Sequence, residues 1–283
     1  MKKLVFLIVL LSFQVCLFTS CKKDKGDPPV LPLVESMAID FSNFETSGKS
    51  DVQFPGIKGA ENSNWLFAAG VAMVWKGVLV ATLAVPVTAY QMAVTKTPVF
   101  LEKGKWQWSY DVSVTVDQVT TTFKARLTGH IQASNVVWEM YISKEGAGAF
   151  PEFLWFSGTS KLDATGGQWV VNHSPQFPEP VLQIDWTKTG ALIGSVKYTY
   201  VRALNNSRVA DPFRNSYIEY GLKTGTLNAY YKIYYYNLTL QQFVSVDVEW
   251  STSAKNGRVK SLIWYGNENW YCWDGNYNNI TCP

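Results

Sequence analysis

Few side chains in this 283-residue sequence are of a type that does chemistry. There are two histidines, His130 and His173, and four cysteines, Cys16, Cys21, Cys272 and Cys282. His130 falls on the polar side of an alternating segment, and His173 sits just before Pro175. Both read as surface residues, and with no reduced cysteine pair expected a zinc site is not implied. Neither a phosphate loop nor a dinucleotide fingerprint is present, and the histidine and serine motifs of common hydrolases are absent too. The carboxylate pair with suggestive spacing is Asp247 and Glu249, within Val246-Asp247-Val248-Glu249-Trp250. Residues i and i+2 of a strand point the same way. Two carboxylates on one strand face, opposite a cleft, can serve as acid and nucleophile for a glycosidic bond. An ordinary solvated strand face has the same spacing. No cofactor is implied.

Aromatic residues are abundant, with 12 Trp, 15 Tyr and 15 Phe, and they offer binding rather than reaction. In Tyr230-Tyr231-Lys232-Ile233-Tyr234-Tyr235-Tyr236 both parities carry tyrosine, so Tyr230, Tyr234 and Tyr236 must lie outside the main core or against a second layer. Trp270 and Trp273 raise the same question beside Cys272. Exposed rings of this kind can stack on sugars or contact a partner.

The N-terminus gives an address. Lys2 and Lys3 precede an apolar run from Leu4 to Phe18, and then come Thr19, Ser20 and Cys21. Charge, apolar run and small residues in that order form a secretory signal, and the run is too short to be read first as a spanning helix. The stretch resembles the lipobox of bacterial lipoproteins, in which the cysteine receives a thioether-linked diacylglyceryl group. Phe18 departs from that pattern, where Leu is usual. The resemblance implies that Cys21 is the lipid-attachment site. Lys22 to Pro29 is charged and ends in two prolines, so it reads as a tether. Lys23-Asp24 within it resembles the Lys-plus-acidic export signal of Bacteroidota surface lipoproteins. The expected location is the outer membrane, on its periplasmic face or at the cell surface. The segment Val246–Trp250 resembles, over five residues, the acidic strand of family 16 glycoside hydrolases, with Ser245 in place of the leading Glu and the final acid missing.

Losing residues 1–20 removes Lys2 and Lys3 and leaves 23 basic against 22 acidic side chains. That near-neutral balance carries no footprint for nucleic acid. Cys272 and Cys282, ten positions apart, are expected to form a disulfide outside the cytoplasm.

Positioning these groups falls to one helix and many strands. Trp65–Val85 contains a single charge, Lys76, with Ser63 as N-cap and Pro86 as the expected stop. By length it could span a membrane, but a central lysine opposes insertion by about 2.5–3.5 kcal/mol. The preferred expectation is a helix over 63–85 buried against a sheet. From Trp106 onward the period is two, as in Trp106, Trp108, Tyr110, Val112 and Val114, and again in Val244, Val246, Val248 and Trp250. Further strands are expected at 153–162, 167–173, 216–224, 228–237, 257–265 and 269–273, with at most one short strand near Ala38–Phe41. Turn-forming stretches such as Asn256-Gly257 separate them, and short links force antiparallel neighbours.

The sequence therefore divides into a leader (1–20), a lipidated cysteine with a tether (21–35) and one β-rich domain (36–283). The domain is expected to be a mainly β, antiparallel meander of about ten to twelve strands, curled into a half-barrel, barrel or sandwich around the helix. That outline is similar to half-barrel lipoprotein-carrier folds, at the level of fold alone. It points to a non-enzymatic binding or structural protein for an apolar small molecule, a glycan or a protein. A glycan-cleaving lipoprotein and a transmembrane β-barrel are the competing expectations. Cys21→Ala behind a conventional cleavable signal should move the protein from the membrane fraction to the soluble fraction on cell fractionation. Persistent membrane integration would overturn the lipid-anchor account.

Overall fold

The computed structural model describes residues 25–45, 63–101, 104–116 and 118–283. The leader, Cys21 and the first residues of the tether lie outside them. The domain is one open antiparallel meander of fourteen strands, each paired with its neighbour in sequence. They are β1 (Val99–Phe100), β2 (Lys105–Val116), β3 (Val119–Gln132), β4 (Asn135–Lys144), β5 (Phe150–Lys161), β6 (Gly166–Ser174) and β7 (Phe177–Thr189). The series continues with β8 (Leu192–Tyr200), β9 (Tyr217–Leu222), β10 (Ala229–Asn237), β11 (Gln242–Trp250), β12 (Gly257–Lys260), β13 (Tyr271–Trp273) and β14 (Asn279–Ile280). The strands beyond the expected count include the two-residue edges β1 and β14, too short to show a period. No strand forms near Ala38–Phe41, which is flanked by 3-10 turns at Val34–Ser36 and Ser42–Phe44. Nor does 257–265 remain extended. Ser261 accepts a hydrogen bond from the Trp264 N–H and caps a single helical turn, α2 (Leu262–Tyr265).

The long helix α1 (Asn64–Val94) crosses the apolar face of the sheet. Ser63 caps it as expected, accepting from the Leu66 N–H at 3.2 Å. Pro86 does not stop it, which corrects the expected boundary at 85. A proline inside a helix costs about 3 kcal/mol. Beyond it, Ala89, Tyr90 and Ala93 are fully buried. The Tyr90 hydroxyl also donates to the Pro32 carbonyl at 2.8 Å, and the Tyr110 hydroxyl to that of Ala89 at 2.5 Å. Burying one large side chain contributes about 1.5–3 kcal/mol, and each hydrogen bond about 1 kcal/mol. Together these outweigh the proline. Thr82 and Thr88 donate to the carbonyls of Val78 and Ala84, one turn back, on either side of the break.

α1 joins the two edges of the open sheet. At its start the Asn64 amide donates to the Cys272 carbonyl on β13 at 2.9 Å, and Trp65 stacks on Tyr277 at 4.2 Å. Its last turns lie against β2 through Tyr110. The chain before α1 crosses the same face. Pro29 packs against Gly129, the Ser36 hydroxyl accepts from the Trp169 indole at 3.1 Å, and the Asp40 carbonyl accepts from the Tyr231 hydroxyl at 2.9 Å. Phe44 meets Trp250 edge-on at 4.9 Å. Cys272 and Cys282 form the expected disulfide, with a Cα separation of 5.1 Å.

Register places a glycine directly across from each of four buried tryptophans: Gly129 with Trp138, Gly158 with Trp169, Gly167 with Trp186 and Gly257 with Trp273. Each indole lies over its glycine, where a Cβ would collide with the ring. An aromatic side chain laid over a strand glycine restores the burial that the glycine lacks. Gly158→Ala would also press on the Gln168 carbonyl, so it should lower stability to urea unfolding by about 2–3 kcal/mol. Gly77→Ala, on the open side of α1 with no neighbouring atom, should instead raise it by about 0.5–1 kcal/mol.

Candidate functional site

The sheet is wider than one helix, and a groove opens on each side of α1. The first, of about 480 Å³, lies between Val71, Val74, Trp75 and Val78 of α1 and Tyr200, Phe213, Ser216 and Tyr235. Its polar groups are few. Ser216 accepts from the Tyr236 N–H at 3.3 Å, and the Tyr200 hydroxyl donates to Asp211 at 2.8 Å. Burial, reinforced by that Asp211 contact, pushes the Tyr200 phenol up to about 12. Val74, Val78 and Phe213 are 43%, 37% and 41% exposed, so the apolar wall reaches the surface.

The loop between β8 and β9 shapes this groove. Its Asp211 also accepts from the Phe213 N–H at 3.0 Å, and Leu204 bridges Ala210. Buried Arg202 pairs with Glu179 at 3.3 Å and lies over the Phe177 ring at 5.5 Å. The loop is thus tied down at both ends, and Phe213 is held over the groove. Sequence reasoning missed these residues because the loop has no period. The signal available was Asp211-Pro212, a turn that sets Phe213 apart.

The second groove, of about 430 Å³, lies on the opposite flank of α1. Leu79, Leu83 and Val87 face Met37 and Phe41 across it, and Tyr198 of β8 forms part of its floor. At its mouth Lys76, the lone charge of the helix, pairs with Glu45 at 2.5 Å. That pairing explains how a helix otherwise free of charge carries a lysine at mid-length. By length and composition α1 could cross a membrane. Half of its most apolar stretch is buried against the protein.

The residues singled out from sequence lie elsewhere. Asp247 and Glu249 alternate with buried Val246, Val248 and Trp250, so they occupy the convex face. Arg258 grips Glu249 through Nε at 2.8 Å and Nη2 at 2.6 Å, Lys223 pairs with its other oxygen, and Lys260 pairs with Asp247 at 3.2 Å. Neither carboxylate lines a groove. Tyr234 lies flat on Phe243 at 4.8 Å and Tyr236 meets the same ring edge-on at 5.3 Å, also on the convex face. Tyr230 covers Gly221 and donates to Glu219 at 2.9 Å. Arg258 and Lys260 both lie over the Trp270 ring, at 4.3 and 5.2 Å. Trp273 is a correction. It is 0% exposed, its indole donates to the Lys255 carbonyl at 2.8 Å, and it belongs to the core rather than to a binding surface.

His130 contacts Gln132 on the convex side, and His173 contacts Ser174. Burial, helped by nearby Arg202, holds the His173 imidazole below its ordinary range. Among the described residues no three His, Cys, Asp or Glu side chains come together as a metal site. The chain matches no protein-family model, no curated protein and no solved structure among those compared.

Burial would raise the Glu249 carboxyl, but the hydrogen bonds from Lys223 and Arg258 outweigh it and hold the group below its usual 4.5. A depressed carboxylate contributes stability above its unfolded value and loses it as pH falls through the folded one. Glu249→Gln should therefore cost about 1 kcal/mol at pH 7, and the gap should close as urea unfolding is repeated below pH 4.5.

Proposed function

We propose that this protein is a lipid-anchored extracytoplasmic binding protein that holds an apolar ligand between α1 and the sheet. Cys21 is the anchor, the following charged residues are the tether, and the outer membrane of a Gram-negative bacterium is the location. The observation that carries the reading is the groove of about 480 Å³ beside Val74 and Val78, apolar on both walls and open at the surface. Ligand pockets are typically clefts of roughly 300–1,000 Å³ lined by apolar side chains with a few polar groups to fix orientation. Here those groups are the hydroxyls of Ser216 and Tyr200. Asp211 holds the Tyr200 hydroxyl and the Tyr236 N–H holds that of Ser216, so both are fixed in place to orient a ligand.

Glycan contact at the convex aromatics is the second reading. Trp270, with Arg258 and Lys260 beside it, and the Tyr234–Phe243 stack favour it. The stacked rings, however, cover part of one another's faces, which leaves less surface for a sugar.

The secreted Cys21→Ala protein should bind an environment-sensitive apolar fluorophore. Val78→Glu, at a partly exposed position, should weaken that binding at least tenfold, with circular dichroism and Tm unchanged. Wild-type failure to bind, or an unaffected variant, would overturn the proposal.

A further inference from the structure

The second groove differs from the first at its floor. Tyr198 is fully buried, and its hydroxyl has no hydrogen-bond partner among the described residues. Its neighbours across both ladders are Ile184 and Ile218, which cannot supply one. A buried polar group left unpaired carries the full cost of its lost hydration, so each such group in a fold calls for an explanation. Trp155, Trp186 and Trp250 also bury indole N–H groups without partners, but none of them lines either groove.

The hydroxyl itself is shielded from solvent, so a ligand reaches it by pushing aside the groove side chains over it, and three features define such a ligand. Leu79, Leu83 and Phe41 make the approach apolar. Lys76 is committed to Glu45, and Asp40 adds a further carboxylate at the rim, so among the described residues that line the groove no spare cation awaits an anion. Burial keeps the Tyr198 phenol protonated far above its ordinary range, so it is a donor. A carboxylate carried to the floor would be desolvated with no counter-charge, whereas a neutral acceptor meets no such penalty.

We propose that the second groove binds a neutral, elongated amphiphile, its chain along Leu79, Leu83 and Phe41 and its carbonyl or hydroxyl oxygen accepting a hydrogen bond from Tyr198. The proposal rests on the ligand-binding reading above but concerns the opposite flank of α1. The bond is formed only when ligand is present. Tyr198→Phe should therefore leave Tm of the ligand-free protein unchanged or raised.

The test is direct titration of decane, a decyl methyl ketone and decanoate into the secreted Cys21→Ala protein, with binding read by calorimetry. The ketone should bind about five- to tenfold more tightly than decane, and decanoate no more tightly than the ketone. Tyr198→Phe should abolish the preference for ketone while leaving decane unaffected. Binding without that preference, a preference that survives in Tyr198→Phe, or tighter binding of decanoate would overturn this inference and leave the broader reading standing. If none of the probes binds, both fall.

Discussion

An open antiparallel sheet has one apolar face and nothing of its own to lay against it. Among the described residues fourteen strands in sequence order bring that face into being, and no crossover returns a strand to cover it. The cover is α1 together with the chain from Pro29 to Phe44, and everything else in the structure depends on their staying in place. Both are fastened by side chains that reach backbone carbonyls. Asn64 holds Cys272, Tyr90 holds Pro32, Tyr110 holds Ala89 and Tyr231 holds Asp40. The Cys272–Cys282 bridge stiffens the edge at which the helix starts. An α-helix is about 10–12 Å across, side chains included, and so covers a strip of a sheet this wide. The two grooves are the remainder on either flank.

Close approach of that cover to the sheet depends on small residues on one side and flat rings on the other. Ala68, Ala72, Ala89 and Ala93 of α1 are fully buried. On the sheet the apolar face is paved by Trp138, Trp169 and Trp186, each lying over the glycine across from it. A side chain at any of those glycines would lift an indole toward the helix, and interiors packed to crystal density do not absorb such shifts cheaply. The sheet, the helix and the segment before it therefore form a single packing problem. Trp169 shows this most directly, because it covers Gly158, meets Tyr90 at 5.6 Å and donates to Ser36.

The strands were legible because one face of the sheet is wet. Alternation such as Val244-Ser245-Val246-Asp247-Val248 is what a half-buried strand requires, and β11 follows it residue by residue. The helix was legible from its lack of charge, but its end was not, because the packing of Tyr90 against Phe156 and Trp169 overrides Pro86. The tryptophan–glycine pairs needed the register, which no single segment contains. Gly167 in particular sits in a stretch that reads as a turn. The grooves were hidden for the same reason, since Tyr200, Phe213 and Val78 come together from a strand end, an irregular loop and a helix. The convex face of Tyr230, Tyr234 and Tyr236 followed from parity alone.

Charge and apolar surface are segregated between the two faces, and that segregation bears on function. On the convex side Glu249, Asp247, Arg258, Lys260 and Lys223 pair with one another, so the carboxylates with catalytic spacing are already neutralised by cations. On the concave side, among the described residues, the one ion pair at a groove is Lys76 with Glu45, at the mouth rather than the floor. A group that is to donate or remove a proton needs a partner or a shifted pKa near the operating pH. The groove hydroxyls of Tyr198 and Tyr200 are moved away from it. What the concave side does offer is surface. Val74, Val78 and Val80 are at least a third exposed, so polar residues there would leave the core beneath α1 intact. Their effect is local: Val74 and Val78 keep one groove apolar, and Val80 keeps the other so. A helix that presents valine to solvent on both flanks of its buried stripe makes sense where something apolar comes to lie beside it.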